Sequence, residues 1–371
     1  MPILYPRPTS IFDPPTLFDD FLSSPLRFLI YHLHAFLLLL RGPAYTPSPH
    51  HRNPPLRIVC LSDTHCQIPT QPIPDGDVLI HAGDLTNAGT VAEVQSQINW
   101  LNSLPHREKI VVCGNHDSVL DPQSRRPEHF SDDDDDDANG SAEDSRLPDW
   151  GPIHYLERRG ITLSFPHHAN RQLHIYGAPQ IPRCGGPDFA FQYDGDDTDE
   201  AEQEWSGEIP METDILVTHT PPRFHLDLPA ALGCDALLKE VWRVRPTLHV
   251  FGHVHSGHGK EHVWWDEAQM AYERVCRRRR KKRRAAGAGS SGGIIATVWR
   301  NILGVVRTFV TDAVDIPGWT DGFRIVWYGV TGVLWSRVWG GAGNRGGLMI
   351  NAALSYQSTG KLGNPVQVVE I

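Results

Sequence analysis

The chain has 371 residues, enough for two or three average domains or for one large α/β unit with insertions. Its 34 basic and 44 acidic residues give a formal net charge of −10, which argues against general nucleic-acid binding. Six cysteines without a CxxC pair, two of them (Cys60 and Cys113) inside apolar runs, follow the pattern of reduced, buried thiols, and the expected home is cytoplasmic.

In chain order the first element is "FLIYHLHAFLLLL", Phe28 to Leu40. Its thirteen residues fall short of the roughly 20 that a bilayer-spanning helix needs. Asp13, Asp19 and Asp20 ahead of it, with no small-residue cleavage site behind it, fit a secretory signal poorly. Two readings stay open: a segment peripheral on or anchored to a membrane, and a helix docked on the protein's own core. Pro, Ser and His dominate Tyr45 to Pro55, the composition of a linker. Residues 1–55 are thus expected as an apolar segment and linker ahead of a domain over 56–371.

The domain opens with three short apolar, β-branched runs: Leu56 to Ser62, Asp77 to Gly83 and Lys109 to Gly114. Between the second and third, Val91, Val94, Ile98 and Leu101 recur at helical spacing. Strand, loop, helix, strand is the grammar of βαβ units and a mostly parallel sheet. Further strands are expected at "ITLSF", "QLHIYG", "DILVTH", "TLHVFGH", "LMINAAL" and "VQVVEI".

Two stretches interrupt this grammar. Residues 121–149 hold six consecutive aspartates, Asp132 to Asp137, which cannot share a core and are expected as a solvated, disordered insert. Residues 265–346 hold the basic octet Arg277–Arg284, a Gly/Ser/Ala linker and "IIATVWRNILGVVRTFV". There Ile294, Val298, Ile302, Val306 and Phe309 share one helical face, opposite Thr297, Arg300, Asn301, Arg307 and Thr308. A run with Trp327, Trp335 and Trp339 follows. This insert has three readings: contact with an anionic membrane surface, a lid on the domain, and a nuclear-import patch made by the octet alone.

The residues behind the predicted strands carry the chemistry. After the first come Asp63 and His65; after the second, Asp84; after the third, Asn115, His116 and Asp117. Later runs add His219, then His253 and His255. Oxygen and imidazole donors without a thiolate suit a pair of hard or borderline divalent ions, with manganese, iron and zinc all acceptable. Residues two apart in extended chain project to one side, so Asp63 with His65, and His253 with His255, are expected to aim together. Asp84, alone behind its strand and next to Gly83, is the expected bridge between two ions. Two carboxylates and a bridging hydroxide against two divalent ions leave roughly one positive charge, which still attracts a phosphate ester. His116 is not needed as a ligand and is expected to act as general acid, with Asp117 holding its tautomer. His81, His174 and His249 are expected as core residues.

The order DxH, GD, GNHD, a lone His and GHxH resembles the calcineurin-like metallophosphoesterase superfamily. More narrowly, "IPDGDVLIHAGDLTNAGT", "ILVTHTPP" and "RPTLHVFGHVHSGHG" resemble the metallophosphoesterase-domain-containing protein family. The resemblance covers Leu56 to Leu120, Ile153 to Lys260 and Leu348 to Ile371, and leaves out the N-terminal segment and both inserts. It implies a four-layer α/β/β/α sandwich of two mixed β-sheets flanked by helices. It also implies one ion held by Asp63, His65, Asp84 and His255, a second by Asp84, Asn115, His219 and His253, and His116 as the acid. The implied activity is hydrolysis of a phosphoester small molecule by a metal-bridging hydroxide, with diesters, cyclic nucleotides included, as the expected substrates. The alternatives are a phosphoprotein or small-molecule phosphomonoesterase, and a membrane-associated scaffold with little turnover. No specific nucleic-acid binding is expected.

Overall fold

The computed structural model describes residues 16–46, 55–130, 147–195, 198–228, 230–286, 305–338, 346–357 and 359–371. The aspartate run, Ile294, Val298, Ile302 and Trp339 lie outside the described residues. The elements begin with α1 (Leu17–Ser23), α2 (Pro25–Arg41), β1 (Arg57–Leu61), β2 (Val78–Ala82), α3 (Val91–Ser103), β3 (Glu108–Val112) and β4 (His154–Tyr155). They continue with β5 (Arg159–Phe165), β6 (Arg171–Ala178), β7 (Ile181–Pro182), β8 (Gln192–Tyr193), α4 (Asp199–Trp205), β9 (Ile215–Thr218) and α5 (Asp235–Val244). Last come β10 (Leu248–Phe251), β11 (Gly259–Trp264), α6 (Glu267–Ala286), α7 (305–313), α8 (Ile316–Val338), β12 (Gly346–Asn351) and β13 (Gln367–Glu370).

One sheet runs β13-β1-β2-β3-β4 and the other β11-β12-β10-β9-β6-β5. β1, β2, β3 and β4 are parallel, and β13 closes the edge antiparallel, with Ile58 opposite Val369. In the second sheet β6, β9, β10 and β12 are parallel, while β5 folds back on β6 as an antiparallel hairpin. Both sheets are therefore mixed.

Strand alternation builds two cores from the same strands. Ile58, Cys60, Ile80 and Ile110 meet Ile175, Val217, Val250 and Ile350 of the other sheet in one buried cluster. Val59, Leu61, Leu79 and Val111 point the other way, onto Val94, Ile98 and Leu101 of α3. That helix starts at a reciprocal cap in which Thr90 Oγ1 accepts from Glu93 N and Glu93 accepts from the Thr90 backbone. With α5 burying Leu237, Leu238 and Val241, the layers are the expected α/β/β/α. The two-residue strands β4, β7 and β8 were not expected, because so short a run has no periodicity to read.

The chain divides into two compact units: Tyr45–Leu228, Leu232–His262 and Gly347–Ile371, and Met1–Ala44, Pro229–Ala231 and Val263–Gly346. The second joins the N-terminal segment to the 265–346 insert, two stretches far apart in sequence. Leu26, Ile30 and Leu37 of α2 are buried with Ala271 and Val275 of α6 and Ile325 of α8. Glycines of α8 let α2 come close: a Cβ at Gly329 would stand 2.7 Å from Leu37 Cδ1, and one at Gly318 2.9 Å from Leu26 Cδ2. Asp312 accepts from Ser24 Oγ at 2.7 Å and from Leu26 N at 3.2 Å, which ties α7 to the start of α2. The buried Asp321 carboxylate receives Arg274 at 3.1 Å, Arg278 at 2.7 Å and Arg324 at 3.1 Å, so three guanidinium groups surround it. Tyr45 is buried in the sandwich core, so the expected linker does not begin there. No described helix is long and apolar enough to cross a membrane.

Candidate metal centre

Asp63 follows β1, Asp84 follows β2, Asn115 and His116 follow β3, His219 follows β9, and His253 and His255 follow β10. Carboxyl ends of neighbouring parallel strands are where open α/β sheets present ligand-binding residues. The local geometry is not the extended one that the sequence spacing suggested. Asp63 (φ 54°), His65 (φ 46°), Asp84 (φ 54°) and His253 (φ 64°) all lie in the left-handed region. This conformation costs a non-glycine residue about 1–2 kcal/mol, and it persists only where the surroundings enforce it. Here they do: Asp63 N donates to Gly83 O at 2.9 Å, His65 N to Asp84 O at 3.1 Å, and His253 N to both Asp63 carboxylate oxygens at 3.1 Å.

The side chains converge. His255 Nε2 lies 3.2 Å from Asp63 Oδ1 and 3.4 Å from His65 Nε2. His219 Nε2 lies 3.1 Å from Asn115 Oδ1 and 3.4 Å from Asp84 Oδ1. The second oxygen of Asp84, Oδ2, is 3.7 Å from His65 Nε2, so this carboxylate faces both groups. Donor atoms of Asp63, His65 and His255 lie within 4.8 Å of one another, as do those of Asp84, His219 and His253, and those of His65, Asp84 and His116.

Three of these rings are aimed by main-chain carbonyls. Nδ1 meets Thr86 O at 3.1 Å in His65, Ala82 O at 2.9 Å in His219 and Gln357 O at 2.9 Å in His255. A donor at Nδ1 leaves the Nε2 lone pair for a cation, the usual outer support of a histidine ligand. Burial opposes charge on Asp63, yet its hydrogen bond to His255 and the nearby imidazoles hold the carboxyl at about 2. Burial likewise opposes charge on Asp84, and His219, His116 and His65 outweigh it, holding its pKa well below the usual range. Despite burial, the two carboxylates raise His219 and His255 to about 9, while desolvation takes His253 down to about 4. Two firmly anionic carboxylates among oriented imidazoles and an amide, with no thiolate, form a donor set that fits two divalent cations.

Asp117 faces the main chain and not the His116 ring. Its carboxylate accepts from Gly114 N at 2.8 Å, Thr86 N at 3.0 Å and Thr86 Oγ1 at 2.8 Å. It therefore ties the turn after β3 to the loop after β2 and does not hold the His116 tautomer. Burial and the neighbouring Asp84 charge raise its pKa. Instead, His116 Nδ1 lies 2.9 Å from Asn87 O. His81 and His249 are core residues as expected, each buried against a threonine hydroxyl, Thr64 at 3.0 Å and Thr218 at 2.9 Å. His174, beside Thr162 Oγ1 at 3.0 Å, is only half-buried.

Gly114 tests how closely the site is packed. A Cβ there would stand 2.3 Å from Asp84 Oδ1 and 2.7 Å from His219 Cε1. Gly114→Ala is expected to displace both groups, costing about 1–3 kcal/mol of stability from overpacking and lowering cation loading. Gly186→Ala, which meets nothing within 4 Å, is the control. Thermal melting and metal content of both variants check it.

A sequence model described as calcineurin-like phosphoesterase matches residues 56–257. The chain is 38% identical over 223 residues to metallophosphoesterase domain-containing protein 1 of Homo sapiens, covering 57% of this chain and 65% of that protein. A UPF0046 protein of Caenorhabditis elegans is 35% identical over 214 residues, covering 55% of this chain and 70% of that protein. A protein of Emericella nidulans called probable rhamnogalacturonate lyase C is 45% identical over 222 residues, 59% of this chain, and the chain spans 19% of its length. Among solved structures, that of TT1561 of Thermus thermophilus is similar at a TM-score of 0.35 with 12% identity, covering 56% of this chain and 84% of that one.

Proposed function

The chain belongs to the calcineurin-like phosphoesterase family, whose members hydrolyse phosphoesters with divalent metal ions, and on that premise we propose that it is a phosphodiesterase. The observation that carries this reading is Asp84, one carboxylate with Oδ1 toward His219 and Oδ2 toward His65. Asp63, His65, Asp84 and His255 would hold one cation, and Asp84, Asn115, His219 and His253 the other. When bound, such a pair supplies Lewis-acid stabilisation of phosphoryl charge and lowers the pKa of water.

The chain's own groups do the rest. His116, with Nδ1 held on Asn87 O, is left with Nε2 to deliver a proton to the departing oxygen. Beside it stands Phe189, ring centroid 4.8 Å away. Its loop is anchored by Ala190 N donating to Asn115 O at 2.9 Å and by Ser118 Oγ donating to Asp188 O at 2.7 Å. An aromatic platform beside the general acid suits an aryl or nucleobase substituent, and cyclic nucleotides are the class proposed.

The test compares bis(p-nitrophenyl) phosphate and 2′,3′-cyclic AMP with p-nitrophenyl phosphate, with and without manganese. Manganese-dependent turnover that favours the diesters is expected. Faster monoester or phosphopeptide turnover would overturn the diester assignment, and no turnover of any ester would overturn the enzyme reading. Phe189→Ala should raise KM for the aryl and nucleotide diesters by about tenfold with kcat kept, since stacking is worth about 1–3 kcal/mol.

A further inference from the structure

Among the described residues, the helical unit carries a face that its own packing does not use. α8 buries Gly318, Asp321, Ile325 and Gly329 on one side. On the opposite side Ile316, Trp319, Phe323, Trp327, Val330 and Leu334 recur at spacings of three and four, all exposed, Phe323 to 67% and Trp327 to 58%. α2 adds Leu29, Phe36 and Leu39, the last 77% exposed, and α7 adds Val306 and Val310. The acidic residue of α8, Asp321, is buried, so the exposed side of this helix carries only basic charge, Arg324 and Arg337. Monomers seldom expose so many large apolar side chains along one helix face without a partner.

Charge identifies the partner. Between Val263 and Gly346 there are 14 basic against 6 acidic residues, while the sandwich unit holds 17 basic against 35 acidic. The excess is concentrated in Arg277–Arg284 at the end of α6, where Arg278 meets Asp321 of α8 at 2.7 Å. A second copy of this net-basic unit would set like charge against like. An anionic bilayer meets both features, taking aromatic and aliphatic side chains into its headgroup boundary and attracting lysine and arginine at its surface.

We propose that the outer face of α8, with α2 and the basic end of α6, docks on the surface of an anionic phospholipid bilayer without crossing it. The test is co-sedimentation of the full chain with vesicles of phosphatidylcholine containing phosphatidylserine, against phosphatidylcholine alone. Binding to the mixed vesicles only, released by high salt, is expected. Trp319→Ser/Phe323→Ser/Trp327→Ser and, separately, Arg279→Gln/Arg280→Gln/Lys281→Gln/Lys282→Gln should each lower partitioning by about tenfold or more, with the far-ultraviolet circular dichroism unchanged. The charge variant replaces no apolar residue, so it decides the matter even if the aromatic variant misfolds. No binding, or equal binding to both vesicles, would overturn the proposal. So would a dimer in light scattering that the aromatic variant dissolves, since the occupant would then be a second copy.

Discussion

Asp84→Ala is expected to abolish cation binding and turnover together. The residue directs one oxygen to each ligand group, so its loss removes the only carboxylate that the proposed site shares between two cations. It also accepts from His116 N at 2.9 Å, so the turn that presents Asn115 and His116 loses an anchor. With several kcal/mol of transition-state stabilisation gone, the rate should fall by about 10⁴-fold or more. Asp84→Asn separates charge from shape: it keeps the side-chain volume and one acceptor oxygen, and it should retain the fold while holding cations poorly. Metal content and diester hydrolysis on the same preparations decide the point. An Asp84→Ala chain that loads normally would show that the carboxylate is not shared.

The second large effect is at His116. His116→Gln should keep both cations and lose about 10²–10⁴-fold in kcat, the usual contribution of a positioned acid. The loss should depend on the leaving group. p-Nitrophenolate departs readily without a proton, so its esters should suffer least, whereas a ribose alkoxide from a cyclic nucleotide should suffer most. A merely structural role would lower both alike. The geometry also offers the rival assignment, because His116 donor atoms lie within 4.8 Å of those of His65 and Asp84. If His116→Gln loses metal in proportion to rate, His116 is a ligand and the acid must be sought elsewhere.

Much of the site was legible because its residues stand directly behind apolar runs. A buried strand announces itself by β-branched continuity, and the polar residues that end it are short enough in sequence to be read with it. Asp63, Asp84, Asn115, His219 and His255 were all singled out this way, and the strands that carry them bring them together as a candidate site. What stayed hidden has a common cause: it depends on backbone. The left-handed conformations at Asp63, His65, Asp84 and His253 leave no mark in residue type, so the pairing by extended geometry was wrong in detail. The carbonyls of Ala82, Thr86 and Gln357 that aim the rings are invisible for the same reason. Asp117 looked like a partner of its neighbour His116, yet four-residue turns often fold a carboxylate back onto main-chain N–H groups, and this one does. Phe189 lies in a loop without periodicity. The union of α2 with α6 and α8 joins segments more than two hundred residues apart, and amphipathic patterns state that a helix has a buried face without stating what covers it.

The most direct test of the shared-carboxylate centre is the metal content of the purified chain after equilibration with manganese, iron or zinc, read by plasma mass spectrometry beside diester turnover. Two ions per chain, rising in step with activity and lost in Asp84→Ala, is the predicted result. A chain that hydrolyses diesters at full rate while holding one ion or none would contradict it.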